Sequence, residues 1–167
     1  KQTFTVESKT QVEDFTGVSS AVTGWVRFDP KKKTGSGRLA VRVATIDTGI
    51  PLRNDHLQSS DWLDAAKFPE AVFETTRVQS LSGNEYRVTG KLTLHGVTRT
   101  ITTNATVQYV AAGDGTAKAG LRGDIVRIRT SFPIRLADHK ITIVEKAKGK
   151  VSETVQVALD VFGTASK

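Results

Sequence analysis

Residues 86–110 read YRVTGKLTLHGVTRTITTNATVQYV, and this stretch decides the fold. Leu94-His95-Gly96-Val97 has the form of a two-residue hairpin loop with His95 and Gly96 at the corner, Gly supplying the positive φ that such turns require. Pairing outward from that corner sets Leu94 opposite Val97, Leu92 opposite Arg99, Gly90 opposite Ile101, Val88 opposite Thr103 and Tyr86 opposite Ala105. That face is largely apolar. The other carries Thr93 with Thr98, Lys91 with Thr100, Thr89 with Thr102 and Arg87 with Asn104, so one face is dry and one wet.

The same period of two recurs along the chain between turn residues. It predicts strands near residues 3–7, 22–28, 38–46, 71–79, 85–94, 97–110, 121–132 and 151–162, with weaker signals at 11–16 and 134–144. Asp29-Pro30, Gly35-Ser36-Gly37, Ser82-Gly83-Asn84 and Gly113-Asp114-Gly115 supply the breaks. The last strand sorts Val151, Val155, Val157, Leu159 and Val161 from Ser152, Thr154, Gln156 and Asp160. Helical signal is confined to the insertion at 45–78, TIDTGIPLRNDHLQSSDWLDAAKFPEAVFETTRV, where residues 60–66 are expected to form a helix ended by Phe68-Pro69, with a further short turn at 54–58.

Long strands with one apolar face must find a second layer or roll up, and closure removes the edges that aggregate. There are too few helices to cover an open sheet. The expectation is an all-β fold: one domain over residues 1–167, an antiparallel β-barrel with a short helical insertion. About eight strands suffice to enclose one small ligand where side chains leave the interior unfilled.

Composition narrows the function. The chain has 167 residues, no Cys and a formal charge of +7. Absence of Cys excludes disulfides, thiolate metal sites and a cysteine nucleophile. The densest basic clusters, Lys31, Lys32 and Lys33, and Lys146, Lys148 and Lys150, adjoin Gly and Pro and are read as solvated loop charge, so no nucleic-acid partner is expected. No apolar run reaches the roughly 18 residues that span a bilayer as a helix.

Catalytic motifs are missing: no G-x-S-x-G elbow, H-E-x-x-H pair, P-loop or dinucleotide fingerprint. His56, His95 and His139 have no ligand-like spacing, and neither a metal nor a cofactor is expected. Asp55-His56 with Asp61 and Asp64 could support acid–base work, but helix capping by Asp61, a solvated Asp64 and loop hydrogen bonds of His56 are the preferred account. An enzyme is not expected.

The order Ile46-Asp47-Thr48-Gly49, Arg53, His56-Leu57, Ser60-Asp61-Trp62-Leu63-Asp64, Lys67-Phe68-Pro69, Phe73 and then Val88-Thr89-Gly90-Lys91-Leu92-Thr93-Leu94-His95-Gly96-Val97-Thr98 resembles the YceI-like polyisoprenoid-binding family. The resemblance is strongest over residues 45–109 and implies an extended lipocalin-like barrel of about eight strands whose tunnel holds a long isoprenoid lipid or quinone. It also implies a periplasmic or secreted protein whose signal peptide has been removed.

The ligand-binding candidates are therefore Tyr86, Val88, Leu92, Ile101, Thr103, Val107 and Tyr109 on the hairpin, with Trp62, Phe73, Val155, Val157 and Leu159 from the insertion and other strands. Arg99 is the candidate for a polar head group. A homodimer is left open. The competing expectation is an extracellular interaction module with a packed barrel, binding anionic glycans or a protein partner through its basic loops.

Overall fold

A computed structural model describes residues 2–164. Its strands are β1 (Thr3–Lys9), β2 (Asp14–Ser19), β3 (Val22–Asp29), β4 (Thr34–Arg42), β5 (Glu70–Ser80), β6 (Glu85–Leu94), β7 (Val97–Val110), β8 (Ile125–Arg135) and β9 (Thr154–Thr164). Two short helices, α1 (Pro51–Gln58) and α2 (Asp114–Lys118), interrupt them.

The nine strands form one sheet in the order β2-β1-β9-β8-β7-β6-β5-β4-β3, every neighbour antiparallel. The sheet curls into a half-barrel. Its edge strands β2 and β3 are not paired with each other; instead Val18 exchanges two backbone hydrogen bonds of 2.9 Å with Asp47, beyond the end of β4. Backbone closure is thus confined to one end, and the β3 edge stands open at the other.

The expected hairpin register holds at every pair from Leu94–Val97 to Tyr86–Ala105. Both corner residues are left-handed, His95 at φ 55° and Gly96 at φ 71°, the backbone twist that matches two paired strands. The inward face of β6, β7 and β9 supplies much of the core: Tyr86, Leu92, Ala105, Val107, Val155, Val157, Leu159 and Val161 are all buried.

Three expectations are corrected. The helix lies at Pro51–Gln58 rather than at 60–66. Pro51 occupies the first turn, where its missing N–H costs nothing. Residues 60–66 instead form consecutive turns, because Asp64 adopts φ 50° and the amides of Leu63, Asp64 and Ala65 reach back to the carbonyls of Leu57, Ser59 and Gln58. Second, residues 134–144 are not a strand: β8 stops at Arg135 and a 3-10 turn, Leu136–His139, follows, ended by Lys140 at φ 57°. Third, β4 ends at Arg42 rather than 46, passing into the 3-10 turn Val43–Thr45, whose first amide bonds the Pro69 carbonyl at 2.9 Å. The weak signal at 11–16 becomes β2, the ninth strand.

The insertion is clamped over one end of the barrel by Asp47, Thr48, Gly49 and Arg53 of the motif that marked it in sequence, together with Asn54, which lies outside that motif. Asn54 Oδ1 accepts from the Thr48 amide (2.8 Å) and hydroxyl (2.7 Å), while Asn54 Nδ2 donates to Asp47 Oδ1 at 2.9 Å. Asp47 Oδ1 also accepts from the Gly49 amide at 2.8 Å. Those donors, Asn54 foremost, hold the Asp47 carboxyl below its ordinary range. Arg53 completes the clamp, pairing with Glu13 and lying 4.8 Å over the Phe15 ring.

Candidate functional site

Inside the curl lie three cavities in line. The deepest, about 120 Å³, is walled only by apolar side chains, among them Trp62, Leu92, Val155 and Val157. The middle one, about 90 Å³, is bounded by Tyr86, Val88, Thr103, Ala105 and Val107. The third, about 470 Å³, opens as a mouth between β3 and the ends of β8 and β9, with Trp25, Tyr109, Thr23, Gln2 and Asp124 on its walls.

Shared walls make these one passage. Leu39 borders all three, while Phe73, Phe132 and Leu159 separate the deep cavity from the middle one. The Phe73 and Phe132 rings face each other across 6.4 Å at an interplanar angle of 36°. Toward the mouth a second aromatic group stands in the way: Phe28 meets Tyr86 edge-on at 5.8 Å and Tyr109 at 6.2 Å.

Gly90 explains how Phe73 reaches this position. A Cβ built there would lie 2.4 Å from Phe73 Cζ and 2.6 Å from the Glu74 carbonyl, so the ring occupies the volume a side chain at residue 90 would need. Next to this contact β5 carries a bulge between Thr75 and Arg77, and Thr76 turns its hydroxyl to the Thr89 carbonyl at 3.1 Å. Gly90 therefore does not widen the interior, as its place on the dry face suggests, but admits a ring into it.

Of the sequence candidates, Trp62, Leu92, Val155 and Val157 line the deep cavity, Tyr86, Val88, Thr103 and Val107 the middle one, and Phe73 and Leu159 both; Tyr109 stands at the mouth. Arg99 and Ile101 do not line the passage. Backbone pairing of β7 with β8 ends at Ala105–Thr130, and beyond it the strands part, leaving a separate cleft that holds Arg99 and Ile101. There Arg99 Nε donates to the Asp138 carbonyl at 2.8 Å.

That parting is bridged by two histidines. His139, 1% exposed, donates through Nδ1 to the Val97 carbonyl at 2.9 Å, and His95 Nδ1 donates to the His139 carbonyl at 3.1 Å. Since a carbonyl only accepts, both rings carry their proton on Nδ1. Phe68 packs edge-on against His95 at 5.0 Å. His56 is exposed near the end of α1, and its carbonyl accepts from the Ser59 amide and hydroxyl. Among the described residues, no three His, Asp or Glu gather as a metal site.

Sequence reasoning reaches the mouth only through its aromatics, Tyr109 and Trp25. Asp124 gives no signal, because the β3 edge and the loop before β8 meet only once the sheet curls. Asp124 Oδ1 accepts from the Ala112 amide at 2.8 Å, and Oδ2 accepts from the Tyr109 hydroxyl. The tyrosine donor, then the amide, keep the Asp124 carboxyl below its ordinary range; the same bond raises the Tyr109 phenol.

A curled antiparallel half-barrel enclosing an apolar passage defines the class, and the sequence assigns it: residues 1–162 match the YceI-like domain, and the chain belongs to that family. It is 32% identical over 148 residues to protein YceI of Salmonella arizonae, covering 86% of this chain and 71% of that one. Its fold superposes on Burkholderia cenocepacia BcnA with a TM-score of 0.82 at 28% identity, over 98% and 96% of the two chains. A Saccharophagus degradans domain described as polyisoprenoid-binding shares the fold at TM-score 0.73 and 19% identity, covering 99% of this chain and 94% of that one.

Proposed function

We propose that the protein is a non-enzymatic carrier that takes up a long apolar isoprenoid-type lipid, a polyprenyl lipid or quinone, shields it from water and delivers it in the periplasm or outside the cell. The observation that carries this reading is the passage itself, apolar from the Phe28–Tyr86 contact to Trp62. Burial there yields about 25 cal/mol per Å² of apolar surface removed from water, less the entropy of ordering a flexible chain. The polyisoprenoid-binding description of the Saccharophagus degradans domain supports the choice of lipid. An open interior favours this reading over an interaction module with a packed barrel.

Lipid extraction and native mass spectrometry of the purified protein test it. A co-purifying apolar molecule, or uptake of quinone or polyprenol, is expected; neither being seen would overturn the carrier. Val88→Phe should block uptake because Val88 lines the middle cavity.

A further inference from the structure

We propose that the mouth selects an uncharged head group bearing a hydroxyl, and discriminates against the same apolar chain capped by a diphosphate. The inference rests on the carrier reading and concerns which lipid that carrier retains.

Among the described residues lining the mouth, Asp124 is the one that carries a formal charge, and no Lys, Arg or His stands beside it. Its carboxylate is fixed by the Ala112 amide and the Tyr109 hydroxyl. The Tyr109 proton is committed to that bond, so the phenol oxygen and the remaining carboxylate lone pairs present acceptors to the opening. A hydroxyl-bearing head can donate to them. A diphosphate has almost no proton to offer near neutral pH and brings like charge to the carboxylate. The depressed Asp124 carboxyl keeps that charge in place across the physiological range.

Two cations close to the mouth have partners of their own. The Arg27 guanidinium lies over the Trp25 ring, 5.1 Å from its centroid. Lys33, in the turn after Pro30, reaches the Gly83 carbonyl at 3.4 Å. Thr23 and Thr164 add neutral hydroxyls to the wall.

The test compares geranylgeraniol with geranylgeranyl diphosphate, two probes with the same chain, by titration of the delipidated protein followed by native mass spectrometry and Trp fluorescence. The alcohol is expected to bind at least ~10-fold more tightly, the scale of one unfavourable charge contact. Asp124→Asn should shrink that ratio by relaxing the repulsion. Thr23→Lys, which leaves the Asp124 bonds untouched, should shrink it by adding a cation. Equal or tighter binding of the diphosphate, or a ratio that Thr23→Lys fails to move, overturns the inference while the carrier stands. Binding of neither probe overturns both.

Discussion

The Phe73 and Phe132 ring centroids stand 6.4 Å apart where the middle and deep cavities meet. Carbon atoms pack at about 3.5–4.0 Å, so a hydrocarbon chain held between two ring faces needs roughly 7 Å or more. A tail passing between these two rings must therefore turn one of them aside. Phe73→Leu, which removes one ring of the constriction, should speed loading of a fluorescent polyene and speed its loss, as read by stopped-flow fluorescence. An unchanged loading rate would place the slow step at the Phe28–Tyr86 contact instead.

Gly90 is the other side of the same arrangement. Gly90→Ala places a methyl group in the space held by the Phe73 ring and against the Glu74 carbonyl, one a side chain and the other backbone. Overpacking of this kind costs about 1–3 kcal/mol. A lowered urea midpoint with an unchanged m-value is the expected result, and Phe73→Leu in the same chain should recover part of the loss.

His139 is the buried tie across the parting of β7 and β8, and its loss leaves the Val97 carbonyl without that donor. His139→Ala should destabilise by about 1–3 kcal/mol, the range for a buried hydrogen bond broken on one side. Hydrogen exchange localises the effect: amides at the Val97 end of β7 should lose protection before those from Ala105 to Val110, which remain paired with β8.

Asp160 links pH to stability on the outer face of the barrel. Arg127 bonds both its oxygens, Nε to Oδ1 at 2.9 Å and Nη2 to Oδ2 at 2.8 Å, and Arg129 Nε stands 3.5 Å from Oδ2. The Arg127 hydrogen bond is the leading cause that holds this carboxyl below the ordinary carboxylate range. A carboxyl depressed in the folded state contributes stability above its unfolded pKa, and that contribution is lost as pH falls through the folded one. Asp160→Asn should thus lower the melting temperature slightly at pH 7, and the difference should vanish in acid below the ordinary carboxylate range. The effect is small because the pair is half-exposed.

What was legible in the sequence follows physical lines. The β6–β7 register could be read because a two-residue turn and strict alternation leave no freedom to slip. The helix was misplaced because Ser60 and Asp61 look like caps, while the decisive facts, Pro51 pre-set for a first turn and Asp64 in a left-handed conformation, weigh against the apolar spacing of Trp62 and Leu63. Arg99 lies opposite Leu92 as expected, yet misses the passage, since alternation cannot reveal that β7 and β8 part company there. The mouth was legible only at its aromatics: Asp124 comes beside Tyr109 through the β7–β8 pairing, and Trp25 reaches the pair only when the sheet curls.

The sheet order also sets how the molecule comes into being. β9 follows every other strand in sequence yet pairs with β1 on one side and β8 on the other, with Phe4 opposite Leu159 and Phe132 opposite Val157. No sheet joining β1 to β8 can assemble until that segment has emerged and closed a loop nearly as long as the chain. Such non-local pairing belongs to the slow class of folding, milliseconds to seconds rather than microseconds. Until then the β3–β4–β5–β6–β7–β8 meander is the largest piece that local contacts can build, and its dry face waits uncovered for the strand that comes last.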